Sequence, residues 1–309
     1  MSEYYKMEVT KRSYSSSANL GPGYDILSMG HRAFFDSVTV KQNGDGKVKI
    51  ISDSTPEYPE KNTAGLSVMK ILEDREIKCG IEMEIKKGVP IGLGLGSSGA
   101  SSSAAVKAVN ELLKLDMGKD EMVYYSMYGE IAACGSAHPD NVSSGIYGGL
   151  TLISSNSPVK VRKISVNYDF KLLLIIPEAN IKSKTQYARS IVPKSITMDE
   201  HIVNSSRIST MLYGFMEGDR DAIREGMKDD IVERSREAMF PFYNNIKEKA
   251  MNRNAVSACI SGAGPTILIF TDEKTRKDEM LNDIKNIMNS YNTGYAIRET
   301  EILEGYDEQ

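Results

Sequence analysis

The chain has 309 residues, 26% charged and 40% hydrophobic, with a formal net charge of -4. That length accommodates one large or two medium domains with a full core, and the slight acidic excess gives no electrostatic reason to expect a nucleic-acid partner. Cys79, Cys134 and Cys259 lie far apart and form no C-x-x-C pair, which excludes a disulfide framework or zinc knuckle and suits a reducing cytoplasm.

The segment from Met1 to Lys11 has no apolar core, so no signal peptide is expected, and no run of about 18 apolar residues predicts a membrane span. Val38 and Val40, then Val48 and Ile50, recur at period two around Asn43-Gly44-Asp45-Gly46, which predicts a β-hairpin. Ile81, Met83 and Ile85 alternate with charged residues and predict a half-buried strand leading into Pro90-Ile91-Gly92-Leu93-Gly94-Leu95-Gly96-Ser97-Ser98. A helix is expected from about Ser98, with Ser97 or Ser98 as its N-cap and Ala105, Val109, Leu112 and Leu113 on its apolar face.

A second helix is predicted over 119–133 with Val123, Met127 and Ile131 inward, followed by an irregular segment over 134–149 and a short strand over 151–154. The turn at Pro158 suggests a boundary near 155, giving domains 1–155 and 156–309 with no long linker. Beyond it come a buried strand over 171–176, helices over 199–217 and 219–238, and strands over 255–260 and 266–270. A helix with Met280, Ile284, Ile287, Met288 and Tyr291 and a last strand near Tyr295 complete the pattern, in which strands and helices segregate within each half.

Three alternating glycines let a backbone approach a ligand closely and adopt positive φ, so that amides converge. With a helix starting at the loop's end, unpaired N–H groups and the positive dipole end favour a phosphate chain, although a ligand-free glycine turn is the plain alternative. A Walker loop would need Gly-Lys-Ser/Thr where this chain has Gly96-Ser97-Ser98, and a dinucleotide fingerprint would space its glycines differently. His138 near Asp140 invites comparison with a hydrolase triad, but no Gly-x-Ser-x-Gly elbow surrounds Ser97.

Ala18-Asn19-Leu20-Gly21-Pro22-Gly23-Tyr24-Asp25, the loop from Pro90 to Ser103, and Ser261-Gly262-Ala263-Gly264-Pro265-Thr266 together resemble the GHMP kinase superfamily. The first motif and His138-Pro139-Asp140-Asn141-Val142 resemble its homoserine kinase branch, and the likeness spans nearly the whole chain. The resemblance implies an α+β fold of two domains, an S5 domain 2-like N-terminal half that binds ATP and a ferredoxin-like C-terminal half. It also implies γ-phosphoryl transfer from ATP to the hydroxyl of L-homoserine in threonine biosynthesis, in a cytoplasmic enzyme of a family that often forms homodimers. A shikimate or mevalonate-pathway kinase of the same superfamily, and a non-catalytic sensor on the same fold, stand as alternatives.

The same resemblance assigns nucleotide contacts to Asn62 and to Pro90, Ile91, Gly92, Leu93, Gly94, Leu95, Gly96, Ser97, Ser98, Gly99 and Ala100. Ser98 and Glu130 match magnesium ligands, and both offer the oxygen donors that a hard cation takes. Asn19, Asp25, His138, Asp140, Asn141, Arg189 and Arg236 match the substrate pocket, although Glu233-Arg234-Ser235-Arg236 leaves either Arg234 or Arg236 as the carboxylate partner. Asn141, Glu130 and Thr185, the last within Lys182-Ser183-Lys184-Thr185, are the candidate catalytic positions; no general base is identified, and Ser16 stands where related kinases carry a lysine.

Overall fold

The computed structural model describes residues 8–178 and 184–304, without the Lys184 side chain. The first seven residues, and Lys182 and Ser183 of the segment ending at Thr185, lie outside the described residues. The chain opens with two long strands, β1 (Glu8–Asn19) and β2 (Gly23–Asn43), then β3 (Val48–Ile51), α1 (Thr63–Asp74) and β4 (Gly80–Lys86). Helices α2 (Ser97–Leu112), α3 (Lys119–Cys134) and α4 (Asp140–Tyr147) follow, and then strands β5 (Leu150–Asn156), β6 (Val159–Ile164) and β7 (Lys171–Pro177). The remainder comprises α5 (Lys184–Ser190), α6 (Met198–Glu217), α7 (Arg220–Gly226), α8 (Val232–Arg236), α9 (Tyr243–Asn252), β8 (Ser257–Ile260), β9 (Ile267–Thr271), α10 (Lys277–Ser290) and β10 (Tyr295–Thr300).

The strands form two sheets. In the first, β2 pairs with β1 along one edge and with β4 and β5 along the other, with β3 and β6 outermost. In the second, the order is β10-β7-β9-β8, antiparallel throughout. The expected hairpin is not formed: β4 lies between β2 and β3, antiparallel to the former and parallel to the latter. Ile81, Met83 and Ile85 of β4 are buried with Val38, Val40 and Ile50 in one core, so the apolar face of β4 claims the slot that a direct hairpin would close.

The expected boundary at 155 falls inside an antiparallel pairing, since Ser155 is opposite Lys160 and both β5 and β6 belong to the first sheet. Ile131 is not inward but 38% exposed, because the buried face of α3 runs through Met122, Ser126, Gly129 and Glu130. The segment 134–149 is not irregular throughout but contains α4. The single helix expected over 219–238 is broken between α7 and α8, where the Asp229 carboxylate accepts from the amides of Ile231, Val232 and Glu233.

One face of the second sheet is covered by α9 and α10, through Tyr243, Ile246, Met280 and Ile284 packed on Leu173 and Ile269. Its other face shares a core with the first half: Leu172, Leu174, Leu268 and Phe270 pack with Leu27, Met29 and Leu150, and Met211 and Phe215 join from α6. This shared core is built from apolar side chains, and their burial is the main contribution holding the halves together. The residues after β10 add a second tie, with Leu303 N–H donating to Gly30 O at 2.9 Å and Arg32 N–H to Glu301 O at 3.1 Å.

Candidate active site

Leu95 is fully buried in the seam and Leu93 packs against it, while Gly92, Gly94 and Gly96 alternate with them at φ of 76°, 78° and 69°. The leucines anchor the loop and the glycines turn it. At Gly94 an added Cβ would lie 2.3 Å from Ser261 O, and at Gly96 2.2 Å from Ser16 Oγ. Glycine is therefore required at both positions by space as well as by φ.

Three consecutive loop carbonyls are taken by β1 and the Ser261–Thr266 motif: Leu93 O accepts from Thr266 N–H, Gly94 O from Ser261 Oγ and Leu95 O from Ser16 N–H, at 3.3, 2.6 and 3.1 Å. In a trans peptide the C=O and the following N–H point oppositely, so the amides of Gly94, Leu95 and Gly96 are presented away from those partners. Among the described residues none of these three amides donates a hydrogen bond. The N-cap of α2 is Gly96, with no side chain capping the helix; Ser97 Oγ instead donates to Val89 O and Ser98 Oγ to Glu130. Loop and helix end thus form a nest of donors suited to an anion.

This nest opens on a cavity of about 430 Å³ lined by Ile91, Gly92 and the loop through Ser98, with Ser54, Thr55 and Asn62 on the far wall. Of the expected nucleotide contacts, Pro90, Leu93, Gly99 and Ala100 do not line it. Leu93 and Ala100 are packed at the seam, and Gly99 is pressed against Asn141 and Val142. Asn62 does line it, but its Oδ1 caps α1 through Ala64 and Gly65 while its Nδ2 donates to Thr55 and Pro56, so its amide shapes the wall. Lys87, outside the expected contacts, also lines this cavity. Its ammonium donates to Asp36, Ser97 O and Ser101, tying β2 to the first turn of α2.

A second cavity, of about 60 Å³, adjoins the first, and both are lined by Glu130, Asn141, Thr185, Gly262 and Ala263. Asn19, Asp25, His138, Asp140, Arg189 and Arg236 converge on the smaller one, so every expected substrate residue is brought together. Arg236 is 2% exposed, donates to Ala188 O and Gly262 O and lines the smaller cavity, whereas Arg234 is exposed and lines neither cavity. Arg189 from α5 grips Asp25 with two hydrogen bonds of 2.7 and 2.9 Å. Tyr24, not singled out in sequence, lies between the arginines, each guanidinium 5.5 Å from its ring centre. Asp25 itself sits at φ 60°, a left-handed conformation uncommon outside glycine, asparagine and aspartate.

At the partition, Ser16 Oγ donates to Asn141 Oδ1 at 2.8 Å, which leaves the Asn141 Nδ2 group as a donor toward the cavities. Ser98 Oγ donates to Glu130 Oε2 at 2.9 Å, and Glu130 Oε1 is buried without a partner. Burial pushes the Glu130 carboxyl up to about 7, against the Ser98 hydrogen bond and with a further push from Asp140. Burial, then Asp25, raises Asp140 to about 6. Burial and then Arg189 lower His138, whose Nε2 lies 2.7 Å from Ser136 Oγ. An orphaned carboxylate oxygen beside a hydroxyl fits a hard cation. Among the described residues no cluster of three or more His, Cys, Asp or Glu could hold a metal alone, so phosphate oxygens and water would complete such a shell.

A nest of phosphate donors joined to a small acceptor cavity of mixed charge, on this pair of sheets, defines a small-molecule kinase. The sequence matches the GHMP kinases N terminal domain over residues 63–149 and the GHMP kinases C terminal domain over residues 211–290. The chain belongs to the GHMP kinase family. It is 44% identical to homoserine kinase of Thermoplasma volcanium, covering 98% of this chain and 97% of that protein, and 45% identical to homoserine kinase of Saccharolobus solfataricus, covering 95% and 96%. Its structure superposes on the crystal structure of homoserine kinase from Cytophaga hutchinsonii with a TM-score of 0.89 at 30% identity, over 99% of this chain and 98% of that one. Mevalonate kinase of L. major shares the fold, with a TM-score of 0.70 at 15% identity over 98% and 99% of the two chains. Among the described residues no helix is long and apolar enough to cross a membrane.

Proposed function

We propose that the protein transfers the γ-phosphoryl group of magnesium-bound ATP to the side-chain hydroxyl of L-homoserine, giving ADP and O-phospho-L-homoserine for threonine biosynthesis. The observation that carries this is the convergence of two acids and two arginines, Asp25, Asp140, Arg189 and Arg236, on a small cavity that shares a wall with the phosphate nest. Such a cavity suits a zwitterion. The ammonium of an amino acid would pair with Asp25 and its carboxylate with Arg189 and Arg236, replacing the contact that Asp25 and Arg189 make with each other. Mevalonate carries a carboxylate but no ammonium and would leave the acids unmatched.

The triphosphate lies along the amides of Gly94, Leu95 and Gly96 and the start of α2, with its terminal phosphate toward the shared wall. Ser98 and Glu130 would hold Mg²⁺, which when bound neutralises charge on the phosphate oxygens. Asn141 Nδ2, fixed by Ser16, and Thr185 orient the acceptor hydroxyl toward the terminal phosphorus. The chain's own contribution is thus alignment and preorganised donors. An ADP-release assay with homoserine, shikimate, mevalonate and galactose tests this: turnover confined to homoserine is expected, and turnover only with an acceptor lacking an amino group overturns it.

A further inference from the structure

Arg12, Ser37 and Lys86 stand opposite one another on β1, β2 and β4, and Tyr14 and Phe35 stand opposite one another in the next row. Side chains alternate across a strand, so these five share the face turned away from Ser13, Asp36, Val38 and Ile85, which are buried. Helices α1, α2 and α3 cover the buried face, through Val68, Val109 and Val123. On the outer face Arg298 of β10, with Arg32 and Phe34 of β2, completes the lining of a cleft of about 750 Å³.

Five cationic side chains line this cleft and, among the described residues, no acid does. In a chain with a net charge of -4 this is a local reversal of sign. Three of the five are balanced from outside the cleft: Arg32 by Glu301 at 3.6 Å, Lys86 by Glu84 at 3.0 Å, and Lys87 by Asp36. The other two are not. Arg12 rests over the Phe35 ring, 4.7 Å from its centre, and Arg298 over the Phe34 ring at 5.4 Å. Among the described residues neither guanidinium makes a hydrogen bond or an ion pair. A ring against the flat of a guanidinium leaves the N–H edge for an acceptor, and that edge matches the spacing of phosphate oxygens.

We propose that this cleft is a second nucleotide site, separate from the phosphate nest, which takes a nucleoside diphosphate with its phosphates on Arg12 and Arg298 and its base against the wall of Tyr14, Phe34 and Phe35. The volume is that of a small-molecule site. A simple carboxylate would occupy one arginine and leave the other arginine and the aromatic wall unused. Of the residues lining the larger cavity of the active site, only Lys87 also lines the cleft. Gly88, whose amide donates to Asp36 at 2.9 Å, lies in the cleft wall, so the second site sits at the root of the phosphate loop. It is independent of the acceptor's identity.

The test is equilibrium dialysis of ADP against the whole protein, carried to millimolar nucleotide, alongside steady-state kinetics. Wild type is expected to bind two equivalents of ADP and R12Q/R298Q one, with kcat unchanged, since glutamine keeps a polar stem beside each ring and removes only the charge. One equivalent in both proteins overturns the proposal and leaves the kinase reading standing. Two equivalents in both place the second ADP elsewhere and overturn it equally. One in the wild type and none in the variant upholds the cleft and sinks the nucleotide assignment of the larger cavity instead. Should the double variant fail to fold, R12Q alone carries the test: it is expected to weaken the second equivalent by about tenfold, one charge-assisted contact, and wild-type affinity for both equivalents overturns the proposal.

Discussion

Ser98 Oγ donates to one oxygen of Glu130 while the other oxygen of the same buried carboxylate is left without a partner. If that oxygen is a magnesium ligand, Glu130→Gln lowers kcat by about 10- to 100-fold, the range of a charge-assisted contact, and excess magnesium partly restores turnover. Wild-type magnesium dependence in the variant would falsify the ligand role.

The same burial has a consequence for stability. Glu130 is raised from 4.5 to about 7, so its neutral form is favoured in the folded state. Its contribution is fully present below the unfolded value and is lost as pH rises through about 7. Glu130→Gln is therefore expected to unfold at higher temperature than wild type at pH 8, by up to about 3 kcal/mol of stability, with the difference gone by about pH 4. A gap of equal size at both pH values would contradict the assignment of the raised carboxyl.

Arg236 and Arg234 separate cleanly, since the first lines the acceptor cavity and the second does not. Arg236→Ala should raise the apparent KM for homoserine by about 10- to 100-fold and leave that for ATP nearly unchanged. Arg234→Ala should change neither; equal effects on both substrates in Arg236→Ala would remove it from the pocket.

The loop glycines are not equivalent. A Cβ at Gly94 would collide with Ser261 O and Gly264 O, at 2.3 and 2.6 Å, whereas one at Gly92 meets nothing within 4 Å. Gly92→Ala should cost only the positive-φ penalty of about 1–2 kcal/mol. Gly94→Ala should lose nucleotide binding as well, read by ATP titration; retained affinity there would show that the loop tolerates displacement.

Ser16 holds Asn141 through its Oδ1. Ser16→Ala frees the amide to rotate and should reduce kcat by about three- to tenfold, one net hydrogen bond, with both KM values little altered. A KM effect in place of a kcat effect would assign Ser16 to binding.

The glycine loop and the alternating strand before it were legible because their constraints are local: positive φ selects glycine, and a one-sided core selects period two. The stretch Ser13 to Asn19 was not, since Ser13-Tyr14-Ser15-Ser16-Ser17 has the composition of a loop and yet forms the inner half of β1 with its serines buried. Those hydroxyls are satisfied by His31, Asn141, Gly145 and Ser261, partners that no window on the sequence brings together. The short helix α4 offers a single apolar i,i+4 pair, Val142 and Ile146, too short a pattern to read as a helix, although it carries Asp140 and Asn141 into the site. Arg236 could be chosen over Arg234 only once the break at Asp229 had set the phase of α8.

The contact between Gly94 and Ser261 spans 167 positions of the chain. A cradle whose carbonyls are drawn back by such distant partners has no counterpart in a partly folded chain, where closing so long a loop is unfavourable. Affinity for ATP is then confined to the completed fold, and the nucleotide, by binding that state alone, shifts the folding equilibrium toward it as its concentration rises. In a cell rich in ATP the substrate doubles as a stabiliser of the enzyme, and nucleotide depletion exposes the chain to unfolding and proteolysis.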